Sequence, residues 1–492
     1  MSSFRPRTFP HAGTGFAALV IGAILSACSV SPPDADRPVT AIQVPPFAVE
    51  GQIDQPDFVG RAIAESLARS LEAVPSLRVL PAFSPAESGT ATLTGLFRRG
   101  PTESCLEVRA RTPGREEPLW SVVRCSRDPF IADLAHDVAD ACVEAFGQQK
   151  SELYPYIGRV PGGAEMAASP LFATVRVRFR QGDYAGLAST GSQLIERFPS
   201  DPDAHVIRAW ALTLVWDAAP SAENLSVLRD ALNDLTQVDP ESPYDEMLRG
   251  YVYRYSGAPE EARQIYTRIL ARTDLTPSSR SWVLRQRSFT YVQAGQGEAA
   301  RRDAEEAVRL DPADPGALAA ASKALELTGQ LDAALARAAE AVALEPDSWR
   351  HLQRVGIVAL RAKSYDLAAH YLSLACDHGR TQEACANLAV LLERAGRRGE
   401  AQQIARRAES LAASPWGAYN LACFRVQRGD RKAAIAALRR AYDLGFTDAL
   451  ITTDPDLNEL RGDPAFDAEV DRVLDRIRAN RQIVTSVFPW QG

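Results

Sequence analysis

Seven cysteines and six histidines carry most of the reactive chemistry in this 492-residue chain, and their spacing rules out more than it allows. No HExxH, GxSxG or phosphate-cradling glycine loop occurs, so zinc-protease, serine-hydrolase and nucleotide sites lack the residues that build them. Asp133, His136 and Asp137 fall within about one helical turn and read as a solvated helix face. His370, Cys376, His378 and Cys385 match no familiar zinc-ligand spacing. The chain therefore reads as a non-enzyme that needs no metal or cofactor. Cys28 stands apart, because it closes an uncharged stretch in which its thiol is the available nucleophile.

Arg5 and Arg7 precede that stretch, residues 15–27. As a helix it would span about 20 Å, short of the roughly 30 Å hydrocarbon core, so an export signal fits better than a permanent span. Its end, Leu25-Ser26-Ala27-Cys28, resembles the bacterial lipobox: a branched apolar residue, two small residues, then the cysteine that receives diacylglycerol. The resemblance implies a signal peptide over 1–27, cleavage before Cys28, and a fatty-acylated (palmitate-type) anchor on its sulfur. Several acyl chains at about 0.8 kcal/mol per buried CH₂ hold a protein firmly on a membrane. Ser29, where an aspartate would retain the protein at the inner membrane, implies an outer-membrane lipoprotein facing the periplasm. Residues 28–38, with Pro32, Pro33 and Pro38, read as a lipidated tether.

The remainder is soluble in composition, with 46% hydrophobic and 24% charged residues, which excludes a disordered chain and a multi-span membrane protein. Its length exceeds what one core supports, so at least two bodies are expected. The formal charge of -7 becomes -9 once Arg5 and Arg7 leave with the signal peptide, a balance that argues against nucleic acid.

The first body, 39–147, reads as an α/β domain. Residues 39–44 are β-prone and end at Pro45-Pro46-Phe47; residues 58–71 then place Val59, Ile63, Leu67 and Leu71 four apart on one helical face. Four further short strands are predicted over 77–80, 92–97, 105–111 and 119–125, and Asp128-Pro129 opens a second helix toward Phe146. Cys105 and Cys125 lie equally far from Arg115 at the hairpin turn, so they face one another as a candidate disulfide in an oxidising compartment. Cys142 and Cys423 sit on apolar helical faces and read as buried thiols.

Ala41-Ile42-Gln43-Val44-Pro45-Pro46-Phe47, the segment from Leu71 through Pro75 to Val79, the Gly95 strand and Leu119-Trp120 resemble the TolB-like amino-terminal domain found ahead of helical repeats in bacterial proteins. The chain departs from that family at 81–90, where a Ser/Pro loop replaces a further helix. The resemblance implies a non-catalytic, partner-binding module.

After a Gly/Pro linker at 148–166, residues 167–449 become helical and self-similar. Gly295 and Gly329, Ala300 and Ala334, Ala307 and Ala341, and Pro312 and Pro346 each recur at a 34-residue interval. The glycine ends the first helix of a hairpin, the alanines let helices approach, and the proline stops the second helix. Gly182, Gly257, Gly396 and Gly429 recur as the same glycine, and Lys363-Ser364 takes the turn where one is absent. About eight units fit. Period, paired helices and small-residue ladder resemble tetratricopeptide (TPR) repeats, with Gly250-Tyr251, Leu388-Ala389 and Leu421-Ala422 at the tight contact of the first helix. Residues 450–480, containing Asp454-Pro455 and Asp463-Pro464, resemble the closing helices of TolB-like/TPR chains. Cys376 and Cys385 resemble the bridged pair of cysteine-rich, short-repeat relatives of TPR proteins, a second candidate disulfide.

The fold class expected is thus an α/β amino-terminal domain followed by an all-α TPR solenoid. The function it implies is a lipid-anchored periplasmic scaffold that binds a protein or peptide through its concave face. Asn387 and Asn420, each followed by Leu-Ala, should occupy equivalent inner positions, where an amide both donates to and accepts from a peptide backbone. Arg285, Arg350 and Arg361 add attraction for an acidic segment. A sensor lipoprotein relaying a ligand signal, or an accessory subunit of a cell-envelope enzyme, are the alternatives.

Overall fold

Alternation of apolar and polar residues builds the first body as a mixed sheet. The computed structural model describes residues 39–126 and 183–488 apart from 40, 73–77, 83–89, 101–102, 114–116, 219–220 and 276, together with Leu134, Val138, Ala141, Cys142, Leu171, Thr174, Val175 and Arg178. The signal peptide, Cys28, the tether, the 148–166 linker, Gly182 and the Asp133, His136, Asp137 group lie outside the described residues. Strands β1 (Ala41–Gln43), β2 (Ala48–Glu50), β3 (Arg78–Leu80), β4 (Thr90–Arg99), β5 (Ser104–Arg111) and β6 (Trp120–Ser126) pair in the order β3-β1-β4-β5-β6, with β2 beside β4. Pairing is parallel from β3 through β1 to β4 and antiparallel from β4 to β6. Along β5, Leu106, Val108 and Ala110 are buried while Arg109 and Arg111 are exposed, the period-two pattern of a strand with one covered face.

Helix α1 (Pro56–Glu72) covers that face with Val59, Ile63, Leu67 and Leu71, each at most 1% exposed. Burial of side chains of this size contributes roughly 1.5–3 kcal/mol each. β2 is a strand beyond the five expected. Pro45 and Pro46 interrupt the first run, Phe47 turns its ring into the space that Gly95 leaves on β4, and pairing resumes on the same edge of β4 from Ala48. The Phe47 amide donates to the Gly60 carbonyl at 3.0 Å, which ties this break to α1.

The second body is an array of antiparallel helix pairs. After α2 (Tyr184–Arg197), the first helices are α3 (Pro202–Ala218), α5 (Tyr244–Tyr255), α7 (Pro277–Gln293), α9 (Pro315–Leu327), α11 (Trp349–Arg361), α13 (Gln382–Arg394) and α15 (Pro415–Gln427). Their second helices are α4 (Ala222–Val238), α6 (Pro259–Leu270), α8 (Gly297–Leu310), α10 (Leu331–Leu344), α12 (Tyr365–Gly379), α14 (Arg398–Ser410) and α16 (Arg431–Asp443). Two short 3₁₀ turns, Ala449–Thr452 and Pro455–Leu460, lead into α17 (Pro464–Val487). The architecture is a small mixed sheet followed by a TPR-type helical solenoid.

Six of the seven hairpins turn on one residue of left-handed conformation among the described residues. Gly257, Gly295, Gly329, Gly396 and Gly429 have φ between 69° and 82°, and Lys363 takes φ 60° at the equivalent place between α11 and α12. Nothing lies within 4 Å of a Cβ added at Gly295, Gly329, Gly396 or Gly429, so the backbone angle, not crowding, selects glycine there. Ala300, Ala307, Ala334 and Ala341 are buried where adjacent helices meet.

The two bodies share one core. Ser66 on α1 donates to Asp311 at 3.0 Å, and the α1 side chains belong to the same apolar cluster as Ala307, Ala343 and Leu344. Arg99 lies 3.9 Å from Asp347 in the next inter-repeat loop. The sheet domain is therefore seated on the loops that follow α8 and α10.

The Lys363 strain is directly measurable. Lys363→Gly should raise stability by about 1 kcal/mol, and Gly329→Ala should lower it by a similar amount. Thermal melts of the two variants check both signs; an unchanged melting temperature in Lys363→Gly would show that the hairpin holds its lysine without strain.

Candidate functional site on the inner face

The curvature of the array decides which helices face inward. First helices of successive repeats pack on one another, α7 on α9 and α13 on α15, whereas the second helices make no comparable contact with each other. Elements that approach most closely lie on the inside of a bend, so the first helices line the concave face.

Its early part is aromatic. Trp210 on α3 stands edge-on to Tyr251 on α5 at 5.7 Å between ring centroids and to Trp282 on α7 at 6.0 Å. Tyr251 and Tyr255 lie 4.4 Å apart, and the Tyr251 hydroxyl donates to Asp217 at 3.3 Å. Arg254 sits among these rings: its guanidinium carbon is 4.0 Å from the Tyr255 centroid, 5.1 Å from Phe289 and 5.6 Å from Tyr251. Such stacking suits a delocalised cation. Arg254 is 8% exposed and its Nε has no hydrogen-bond partner among the described residues, while Tyr255 is 43% exposed.

The middle part is a charge network. Arg354 on α11 bonds Glu326 on α9, donates through Nε to the Ser322 hydroxyl at 3.0 Å, and is joined by Arg361, whose Nε reaches Glu326 at 2.7 Å. Burial opposes ionisation of Glu326, yet Arg354 and then Arg361 outweigh it and hold the carboxyl below its ordinary value. Lys323, one helical turn earlier, is solvent-exposed and still has its ammonium pKa lowered, first by loss of hydration and then by Arg354, with Arg254 adding to the effect and Glu326 and Asp448 opposing it. Lys323, Glu326, Arg354 and Arg361 all stand on first helices, and α17, which packs on α16, also meets α4 and α5, so the array bends far enough to enclose this face as a lumen.

The residues expected from sequence fall unevenly on this surface. Asn387 and Asn420 occupy equivalent places on α13 and α15, both half-buried, and neither amide has a hydrogen-bond partner among the described residues. Arg361 belongs to the Glu326 network. Arg350 is exposed in the first turn of α11 and stacks on Trp349 at 4.7 Å. Arg285 is buried and holds Asp314 at 3.0 Å, fastening α7 to the loop before α9. Cys105 and Cys125 lie directly opposite on β5 and β6 and are disulfide-bonded; Cys376 and Cys385 are bonded likewise, linking α12 to α13. Cys142 and Cys423 are buried outside these bridges, and burial, with Asp454 and Asp456, pushes the Cys423 thiol up.

Sequence reasoning missed Arg254, Lys323, Glu326 and Arg354. Their signal was available only as a position: each is a charged residue on a first helix, beside an aromatic or an opposite charge in a neighbouring repeat. Among the described residues, no three His, Cys, Asp or Glu side chains are placed to hold a metal ion, and no helix is long and apolar enough to cross a membrane.

No family model and no curated protein matches the chain. Solved structures do. A tetratricopeptide repeat protein from Parabacteroides merdae is 13% identical over 60% of this chain and 99% of its own, with a TM-score of 0.38. The Cut9–Hcn1 hetero-tetramer of the APC/C is 13% identical over 70% of this chain and 60% of its own, with a TM-score of 0.45. YrrB, described as a TPR protein with an unusual peptide-binding site, is 19% identical over 39% and 93%, with a TM-score of 0.27.

The Glu326 network has a pH signature. A carboxyl whose folded pKa lies below its unfolded value stabilises the protein fully above that unfolded value, here 4.5, and ceases to do so as pH falls through the folded value. Glu326→Gln leaves the buried Arg354 without its counter-charge and should cost about 3 kcal/mol at neutral pH. Denaturant titrations of both proteins at pH 7 and below 4 check this, the difference shrinking in acid; a constant difference would refute the assignment.

Proposed function

We propose that this chain is a lipid-anchored periplasmic scaffold that receives a protein or peptide segment on the inner face of its TPR array. The observation that carries the reading is the pair of equivalent amides, Asn387 and Asn420, half-buried on successive first helices and without hydrogen-bond partners among the described residues. An extended peptide needs donors and acceptors at a regular interval, and side-chain amides provide both without selecting a sequence. The exposed ring of Tyr255 and the exposed Arg361 add apolar and charged contacts on the same face. The sheet domain is proposed as a TolB-like second docking body: α1 is engaged with the array, which leaves the opposite face of β4 and β5, where Thr94, Leu96, Arg98, Glu107, Arg109 and Arg111 border a shallow depression.

The anchor and the address rest on Cys28 and its preceding residues. Cys28→Ser should abolish incorporation of labelled palmitate and leave the precursor uncut, as read by fatty-acid labelling and by globomycin-sensitive processing. A wild-type chain that takes up no label would refute the lipoprotein assignment.

The groove is tested by replacing Asn387 and Asn420 together with alanine. Helicity and melting temperature should stay close to wild type while capture of the cross-linked natural partner falls at least tenfold, about 1.4 kcal/mol. Recovery of the same partner at wild-type yield would move the docking surface to the sheet domain.

A further inference from the structure

The last helix does more than cover an end. A capping helix needs to pack only on the final repeat, and the first half of α17 does so: Phe466 and Val473 are buried in the cluster formed by α13, α15 and α16, and Arg472 and Arg476 stack on Tyr442 at 4.1 Å and 3.4 Å from its ring centroid. The second half continues across to a part of the array more than 200 residues earlier in the chain. Ile477 packs on the final cluster and also on Gly257, where an added Cβ would lie 2.7 Å from its Cγ2. Arg481 pairs with Glu261, Val484 and Phe488 are buried in the core of α4, α5 and α6, the Tyr253 hydroxyl donates to the Phe488 carbonyl, and Arg249 stacks on the Phe488 ring at 4.8 Å.

We infer that residues 477–488 are a clasp: they fasten the end of the array to the α5–α6 pair, close it round the lumen that contains Lys323, and open that lumen when they let go. Three features suit a releasable contact. It is confined to the end of one helix and so involves no chain crossing. It combines a few apolar insertions with an ion pair whose arginine is half-exposed, a contact that salt screens. It spans a solenoid, whose stacked repeats keep their own interfaces when the ends separate. The inference deepens the inner-face reading, since it says what controls entry to that surface.

The test uses the whole chain and no partner, so it fails or succeeds independently of the groove assignment. The chain has four lysines, Lys150, Lys323, Lys363 and Lys432, of which Lys363 and Lys432 are exposed outside the lumen and serve as internal references. In the wild type, an amine-reactive polyethylene glycol should modify Lys323 much more slowly than either reference, while a small reagent reaches it. Glu261→Arg places like charges at the clasp and should raise the Lys323 rate with the bulky reagent roughly tenfold, with a larger radius of gyration by X-ray scattering. Adding Arg481→Glu should restore the wild-type values, and Phe488→Ala should reproduce the open state without any change of charge. Equal Lys323 rates in all four proteins would overturn the inference. So would loss of array helicity in both Glu261→Arg and Phe488→Ala, because a clasp must detach while the repeats stay folded.

Discussion

An antiparallel helix pair of this length can reverse direction in two or three residues only if one of them adopts a left-handed backbone, and most of this molecule follows from meeting that condition at a regular interval. The turn fixes where the second helix begins, which fixes which alanines face the first helix, which fixes how closely the next pair can stack. First helices come closer to one another than second helices do, and the stack bends toward them. Curvature, lumen and the meeting of α17 with α5 are all downstream of that repeated angle. Lys363 shows how strict the requirement is: a lysine in that place is forced to φ 60°, and the geometry of the pair is kept.

The sheet domain depends on the same array in a different way. Alone, its sheet would bury one face against α1 and leave the outer side of that helix to solvent. Seating α1 on the loops after α8 and α10 removes that surface from water and gives the polar ends of the repeats a partner, as Ser66 does for Asp311. The loops concerned are those containing Asp311-Pro312 and Glu345-Pro346, so the residues that stop the second helices also present the platform on which the first body rests. Partner surfaces left on that domain are consequently those of the sheet, on the side away from α1.

Local rules made the array legible. The 34-residue ladder, the glycine turns and the substitution of Lys363-Ser364 for one of them are short-range patterns, and the structure follows them helix by helix. The α1 stripe and the β5 alternation are legible for the same reason. Arg285 was not: on a first helix it fits a groove residue, but its guanidinium is buried against Asp314, and only the fold says which of two faces a charged residue in a crowded helix takes. Lys323, Arg254 and Glu326 were missed because their surroundings come from other repeats, a juxtaposition with no sequence period. The extra strand β2 escaped because two prolines conceal a run of three residues whose pairing depends on Phe47 fitting beside Gly95.

A solenoid with free ends tolerates gain or loss of a repeat, since each unit knows only its neighbours. The contact between Ile477 and Gly257 removes that freedom. Inserting or deleting one pair between α6 and α16 would rotate the final repeat about the superhelix axis and carry α17 past the surface it meets. Repeat number is therefore under geometric selection in this chain: duplication, the ordinary way such arrays change length, is closed to the segment between those two points, while the stretch before the α3–α4 pair stays free to grow or shrink.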